Sequence, residues 1–326
     1  MEEIFNKKNI KTWSIIGSRA TFGLFSLDLV KKEKDIIIVT ADVSTSAGLD
    51  KFRKNFPNNF VDVGISEQNM IGVATGLTRM NYRVITTTFS PFQTLRCCEQ
   101  IKVNMGYMKD KITMVGLASG LILGPLGFTH CSIEDIGVLR SIPNLSIISP
   151  ADSLETAKSI LASLNYKDSV YIRLTGGTPN PSIYEKDYKF EIGKGIIINR
   201  GDKIAIITNG AMVYNCIKAS EILKKNNINP TIINMHTVKP LDEHIIIKES
   251  KNFDFIFTVE EHNIIGGLGS AVSEAMTKNN LKAKLVRLGI YDNYPKAGSY
   301  NHLKKKLNLD AEGISKSILN EIKNVI

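Results

Sequence analysis

The chain has 326 residues, of which 43% are hydrophobic and 22% are charged, a balance typical of a water-soluble globular protein with room for two domains. No apolar run approaches the roughly 20 residues that cross a bilayer, and the charged residues 1–8 are unlike a signal peptide. We therefore expect no membrane association. Four cysteines, two of them adjacent, match neither a disulfide framework nor a zinc site, which favours the reducing cytoplasm.

The net charge of +9 comes from lysines that are spread along the chain, without an arginine-rich or aromatic-interleaved patch. This pattern argues against nucleic-acid binding. It suits an acidic partner subunit or anionic substrates.

The first half of the chain alternates β-branched runs with segments of helical period, such as residues 20–32 and 153–165. Such alternation predicts a parallel α/β sheet. The predicted strands cover residues 36–40, 84–88, 112–116, 145–148 and 170–174.

Residues 175–182 are rich in glycine and proline and predict a break between domains. The α/β pattern then restarts, with predicted strands at residues 203–208, 231–235, 255–259 and 283–287. We therefore predict two doubly wound α/β domains, covering residues 1–178 and 191–326, with a linker at residues 179–190.

The segment Asp62-Val-Gly-Ile-Ser-Glu-Gln-Asn-Met70 places one acid, Glu67, between a predicted strand and a helix that is rich in small residues. Two interpretations remain open from this segment alone. Glu67 is either an acid that satisfies free N–H groups at a helix start or a carboxyl group that bonds a ring nitrogen of a cofactor.

Four blocks of sequence occur in order along the chain: Gly64-Ile-Ser-Glu-Gln68, Thr88-Phe-Ser-Pro-Phe92, Gly124-Pro-Leu-Gly-Phe-Thr-His130 and the glycine-rich block 259–270. With these blocks the chain resembles the transketolase family over nearly its whole length. The resemblance implies a pyrimidine-binding domain for thiamine diphosphate, followed by a transketolase C-terminal domain.

The resemblance implies that Glu67 bonds the aminopyrimidine of thiamine diphosphate and that Phe92 stacks on this ring. Phe89 is implied to be a second aromatic residue of the pocket, and Leu95 lies where a tyrosine is frequent in the family. His130 is implied to be the catalytic histidine that faces the substrate. Taken alone, two phenylalanines at this spacing also suit core packing, and a Thr-His pair also suits a loop contact.

Three residues, Arg19, Ser46 and Arg173, fall at the family's phosphate-binding positions. Guanidinium and hydroxyl donors suit a tetrahedral anion. Without the resemblance, these residues would be interpreted as a surface charge, a turn cap and half of an ion pair.

Two departures from the family pattern predict an altered substrate. Leu126 stands where transketolases carry an aspartate that bonds a sugar hydroxyl, and Ala118 replaces a histidine that helps to hold the phosphate. Loss of such polar partners changes which substrate is accepted. A sugar with a different hydroxyl, a sulfonated sugar and a short acyl donor all remain open.

The chain lacks the family's Gly-Asp-Gly motif with a downstream asparagine, which supplies the oxygen ligands for the metal and the diphosphate. We therefore expect no metal ligands here and a partner, the N-terminal transketolase subunit, that binds the diphosphate with Mg²⁺ or Ca²⁺. A shared active site implies an α2β2 heterotetramer.

The resemblance thus implies an enzyme that transfers a two-carbon ketol unit from an anionic ketose, bearing a phosphate or a sulfonate, to an aldose phosphate. One alternative is an acyl-transferring thiamine enzyme, similar to an oxo-acid dehydrogenase β chain or to deoxyxylulose-phosphate synthase. The other alternative is a non-catalytic regulatory subunit that has kept the fold.

Overall fold

A computed structural model describes residues 2–175 and 181–323. The chain forms two compact units. The first unit contains the residues up to Ser119 and the segment Val138–Ile192, and the second contains Gly120–Gly137 and the residues from Gly193 onward. Among the described residues, no helix is both long and apolar enough to cross a membrane.

Six parallel strands of the first unit are hydrogen-bonded in the order β5-β6-β4-β3-β1-β2. Every residue of β1, β4, β5 and β6 is buried, because helices cover both faces of a parallel sheet. The strands are β1 Ile36–Thr40, β2 Phe60–Asp62, β3 Arg83–Phe89, β4 Ile112–Ser119, β5 Leu145–Ile148 and β6 Ser169–Thr175.

The helices along this part of the chain are α1 Lys7–Lys32, α2 Asp50–Asn55, α3 Glu67–Arg79, α4 Ser90–Thr94, α5 Cys98–Ile101, α6 Asp135–Arg140 and α7 Ser153–Leu164. Helix α1 is interrupted at Gly17, whose φ of 81° lies in the left-handed region. Beyond this kink, Phe22, Phe25 and Leu29 are fully buried in the core.

Helix α1 packs closely against the turn that follows β1. A Cβ atom on Gly23 would lie 2.0 Å from the carbonyl oxygen of Gly48, so the helix backbone and the turn touch directly. Gly48 itself has a φ of 71°, which other residues rarely adopt. Two glycines therefore bring the turn at residues 43–49 against the helix segment that carries Arg19.

The second unit is a mixed sheet in the order β12-β11-β8-β9-β7, in which β7 is antiparallel to β9. The strands of this sheet are β7 Ile196–Asn199, β8 Lys203–Thr208, β9 Thr231–Asn234, β11 Phe253–Asn263 and β12 Lys284–Ile290, and a short strand outside it, β10 Thr237–Lys239, follows β9 along the chain. Its helices are α8 Met212–Lys224, α9 Glu243–Ser250, α10 Leu268–Lys278, α11 Tyr300–Lys306 and α12 Ala311–Lys323.

The predicted fold class is confirmed, since both units are α/β sheets built largely from parallel strands. Two short strands, β7 and β10, are absent from the sequence-based prediction because three or four residues carry too little periodicity. The structure also groups residues 120–137 with the second unit, which the predicted boundaries do not anticipate.

Part of the predicted linker, residues 179–180, lies outside the described residues. The remainder packs within the first unit. The backbone N–H groups of Ile183 and Tyr184 donate to Asp152 Oδ2, and the Tyr188 hydroxyl donates to Glu155. These hydrogen bonds hold residues 183–188 against the first unit, although the turn-rich sequence before them predicts only a connection between domains.

Because Gly23 touches the turn at residues 43–49, we expect Gly23→Ala to lower the free energy of unfolding by about 2–3 kcal/mol through overpacking against backbone. Gly76→Ala is the matched control, since an added Cβ there meets nothing within 4 Å. In helix α3 it should raise stability by about 0.5–1 kcal/mol. Urea denaturation of the chain measures both values, and equal stability of the two variants would contradict the close contact.

His236 follows β9 and is fully buried, with Nδ1 sharing a 2.9 Å hydrogen bond with the Thr237 hydroxyl. Burial lowers the pKa of His236 from 6.5 to about 3, against the opposing charge of Asp242. The unfolded chain therefore takes up a proton below pH 6.5 that the folded chain excludes. Stability from this group is complete above pH 6.5 and is lost as the pH falls toward 3.

We expect the unfolding free energy of the wild type to fall, relative to His236→Gln, by up to about 1.4 kcal/mol per pH unit between about pH 6 and pH 4. Urea denaturation at several pH values measures this difference. Parallel pH profiles for the two proteins would show that His236 does not titrate as its burial requires.

Candidate cofactor and substrate site

The carboxyl ends of the parallel strands in the first unit lead into the turns that carry most of the predicted site residues. Glu67 is the first residue of α3, after β2 and a turn in which Gly64 has a φ of 69°. The Asp62 carboxylate accepts hydrogen bonds from the N–H groups of Asp42 and Gly64, both 3.0 Å long. This carboxylate ties together the turns after β1 and β2, and the turn after β2 delivers Glu67 to a position where it is only 4% exposed.

Phe89 and Phe92 flank the connection between β3 and α4. Their rings meet edge to face, with centroids 6.4 Å apart and an interplanar angle of 83°. The fully buried Gln93 closes this connection, because it accepts from the Thr88 N–H at 3.0 Å and donates to the Thr86 hydroxyl at 2.6 Å. The two rings are therefore held on a rigid turn at the end of a central strand.

Arg96 joins Glu67 to Phe92, and our sequence analysis missed it. Its Cζ atom lies 4.2 Å from the centroid of the Phe92 ring, and its Nη1 atom lies 2.6 Å from Glu67 Oε1. The arginine is four residues after Phe92, a spacing that brings side chains together on a helical turn. That spacing is the signal by which the contact could have been found.

Leu95 and Cys97 flank Arg96 in the same turn. Leu95 is 43% exposed. Burial first, and then the charge of Glu67, raise the pKa of the Cys97 thiol to about 12, so this thiol remains protonated. It lies 3.2 Å from the Phe92 carbonyl oxygen and donates to it.

The arrangement of Glu67 and Phe92 fits the aminopyrimidine of thiamine diphosphate. A flat, delocalised cation, the Arg96 guanidinium, already contacts the aromatic face and the buried carboxylate at the same time. A flat heterocycle that hydrogen-bonds through a ring nitrogen makes the same two kinds of contact, one with an aromatic face and one with a carboxylate. One planar group can therefore contact both residues at once.

Arg19 and Ser46 lie on the two segments that Gly23 and Gly48 bring into contact. Arg19 is partly buried on α1, and Ser46 is exposed in the turn after β1. An added Cβ at Gly48 would lie 3.3 Å from the Arg19 carbonyl oxygen. The structure thus brings the backbone at Arg19 against the turn that also carries Ser46.

Arg173 lies on β6, separated from β1 by β4 and β3. Its side chain is fully buried near the carboxyl end of the strand, and Nη1 donates to the Thr175 hydroxyl at 3.2 Å. Thr175 shares a 3.0 Å hydrogen bond with Ser119 at the end of β4. Arg173 therefore belongs to a buried polar group at the same edge of the sheet as the other predicted residues.

Ala118 lies at this edge in an unusual backbone conformation. Its φ is 52°, and its side chain is 1% exposed. Such strained positions cluster at functional sites. Ala118, which stands where the family carries a histidine, is thus next to the last residue of β4, just before the segment that belongs to the second unit.

His130 and Leu126 belong to the second unit, on the segment Gly120–Gly137. Leu126 ends a short 3-10 turn and is 59% exposed. The next residue, Gly127, has a φ of 80° and accepts a hydrogen bond from the His130 N–H through its carbonyl oxygen. His130 Nδ1 shares a 3.0 Å hydrogen bond with the Thr129 hydroxyl, the loop contact that a Thr-His pair suggests.

Glu261 anchors this segment within the second unit. Its buried carboxylate accepts from the Leu121 N–H at 2.6 Å and from the Tyr300 hydroxyl at 2.7 Å. Gly120, with a φ of 72°, allows the approach, since an added Cβ would lie 2.3 Å from Glu261 Oε1. The sequence places Glu261 in the glycine-rich block but does not reveal this anchoring role.

Metal-ligating groups are not assembled in the part of the chain that the structure describes. No three histidine, cysteine, aspartate or glutamate side chains there come together as ligands for an ion.

Two family models match the chain. The transketolase pyrimidine-binding domain matches residues 16–178, and the transketolase C-terminal domain matches residues 193–314. A putative transketolase C-terminal section from Methanocaldococcus jannaschii is 40% identical, over 94% of this chain and 96% of that protein. An apulose-4-phosphate transketolase subunit from Phocaeicola vulgatus is 33% identical, over 95% of this chain and 99% of that protein.

A solved structure, described as a split gene transketolase in an inactive beta4 tetramer, superposes with a TM-score of 0.86. It shares 28% identity and covers 94% of this chain and 98% of its own. The resemblance seen in the sequence is confirmed: the chain belongs to the transketolase family and is of the kind that forms the C-terminal subunit of a split transketolase.

Proposed function

We propose that this chain is the pyrimidine-binding subunit of a two-chain, thiamine diphosphate-dependent transketolase. It moves a two-carbon ketol unit from an anionic ketose to an aldose phosphate. The proposal rests on one observation. The carboxylate of Glu67 is buried beside the aromatic face of Phe92, and one planar cation, the Arg96 guanidinium, contacts both.

Thiamine diphosphate, when bound, supplies the carbon nucleophile and the electron sink that a ketol transfer requires. The residues of this chain orient it. Glu67 holds a proton at the pyrimidine nitrogen, in a poorly hydrated place where hydrogen bonds are strong. Phe92 stacks on the ring, Phe89 supports Phe92 edge to face, and Leu95 keeps water from one side of the pocket.

Arg19, Ser46 and Arg173 are proposed to bind the anionic group of the sugar. The contact between α1 and the turn after β1 supports a common role for Arg19 and Ser46. His130 is proposed to donate a hydrogen bond to the substrate's carbonyl oxygen. Leu126 offers an exposed apolar surface in place of a carboxylate, which favours a sugar with a different hydroxyl arrangement.

The diphosphate and its Mg²⁺ or Ca²⁺ are proposed to bind mainly to an N-terminal transketolase subunit. The relatives from M. jannaschii and P. vulgatus, which this chain matches over almost their full length, are a C-terminal section and one subunit. An α2β2 assembly would complete the active site. The four free thiols suit the reducing cytoplasm.

Replacement of Glu67 tests the assignment of the cofactor site. In the reconstituted two-chain enzyme, we expect Glu67→Ala to lower kcat at least about 100-fold, because the group that holds the pyrimidine proton is lost. Assembly, followed by light scattering, should be unchanged. Glu99→Ala is the matched control, since Glu99 is an exposed glutamate two turns further along the chain from Phe92. Near-normal turnover by Glu67→Ala would remove the assignment.

A panel of donors tests the substrate class and separates the acyl-transferring alternative. We expect ketol transfer from a ketose phosphate or a sulfonated ketose and little release of CO₂ from pyruvate. Arg19→Met should raise KM for the anionic donor about 10- to 100-fold, the range for a lost charged hydrogen bond. It should leave KM for the corresponding neutral ketose unchanged. Faster turnover of pyruvate than of any ketose would overturn the transketolase assignment.

A further inference from the structure

The Arg96 side chain makes the two contacts that the proposed function assigns to the aminopyrimidine of the cofactor. Its guanidinium lies over the Phe92 ring at 4.2 Å and donates to the buried carboxylate of Glu67 at 2.6 Å. A guanidinium is flat, delocalised and cationic, so it stacks on an aromatic face and pairs with a carboxylate.

We propose that Arg96 occupies the pyrimidine subsite whenever the cofactor is absent, and that thiamine diphosphate binds by displacing the guanidinium. This inference rests on the proposed function. It adds an autoinhibitory contact, formed within one chain, to the cofactor site.

The guanidinium and the heterocycle exclude each other because they need the same atoms. A ring stacked at van der Waals distance from the face of Phe92 on which the guanidinium lies occupies the space where Cζ now lies. A pyrimidine nitrogen bonded to Glu67 Oε1 takes the place of Arg96 Nη1. Arg96 must therefore leave both contacts before the ring can make either in full.

The surroundings of Arg96 let the side chain leave without disturbing the backbone. Its carbonyl oxygen accepts a 3.1 Å hydrogen bond from Gln68 Nε2, which holds the turn in place. The Arg96 side chain is 45% exposed, whereas that of Glu67 is 5% exposed. Rotation of a half-exposed side chain into solvent is fast and local.

The contact also explains how the chain tolerates Glu67 before the cofactor arrives. A buried carboxylate without a partner is strongly destabilising. Arg96 supplies that partner with a side chain that is itself 45% exposed, and in the proposed displacement the pyrimidine nitrogen takes over as the partner of the carboxylate.

Arg96→Met tests the displacement, because methionine keeps an unbranched apolar stem and removes the guanidinium. Thiamine diphosphate is titrated calorimetrically, with Mg²⁺ present, into the reconstituted two-chain complex. We expect the variant to bind thiamine diphosphate about 3- to 30-fold more tightly than the wild type. This factor corresponds to the loss of one cation–π contact and one half-exposed ion pair as competitors.

Arg200→Met is the matched control, because Arg200 is also an exposed arginine on a buried glutamate. Its Nη1 atom lies 3.0 Å from Glu249 Oε2, with the two side chains 67% and 9% exposed. Its Kd should equal that of the wild type. Raising the salt concentration should narrow the gap between wild type and Arg96→Met, since salt screens the half-exposed ion pair.

Equal or weaker binding by Arg96→Met, with clear binding by the wild type, would overturn the displacement and leave the proposed function intact. No binding by wild type, Arg96→Met and Arg200→Met alike would instead refute the proposed function. Arg96→Gln, which also lacks the charge, is expected to bind as tightly as Arg96→Met and replaces it if that variant does not assemble.

Discussion

The candidate site depends on one constraint: a carboxylate that is removed from water needs a partner. Glu67 is the first residue of helix α3 and is almost fully buried. Its partner is the guanidinium of Arg96, which also lies over the Phe92 ring. Under the proposed displacement, the group that replaces the arginine is flat and bonds the same carboxylate. Glu67 and Phe92 thus share one partner, the half-exposed side chain of Arg96.

The parallel sheet of the first unit determines where this chemistry can occur. The parallel strands all end at one edge, and the segments that follow β1, β2 and β3 carry Ser46, Glu67 and Phe92. Ligands of open α/β sheets bind at that edge. The Asp62 carboxylate joins the turn after β1 to the turn after β2, and Gly48 lets the turn after β1 touch helix α1.

The second unit contains a segment that the chain inserts between two strands of the first. Residues 120–137 carry His130 and Leu126, and Glu261 anchors them through Leu121 and Tyr300. The strained φ of Ala118 marks the point where the chain departs from β4. The proposed chemistry therefore assigns roles to residues of two compact units, each stabilised by its own buried polar contacts.

The sequence by itself determined the α/β class, the family and the identity of the residues proposed to meet the cofactor, because strand periodicity and short motifs such as Gly64-Ile-Ser-Glu-Gln68 are local. Only the tertiary structure decided the pairing of Arg96 with Glu67 and the grouping of residues 120–137 with the second unit. It also showed that Arg173 is buried and donates to the Thr175 hydroxyl. These features join residues that are far apart along the chain, and hydrophobic periodicity carries no information about such pairs.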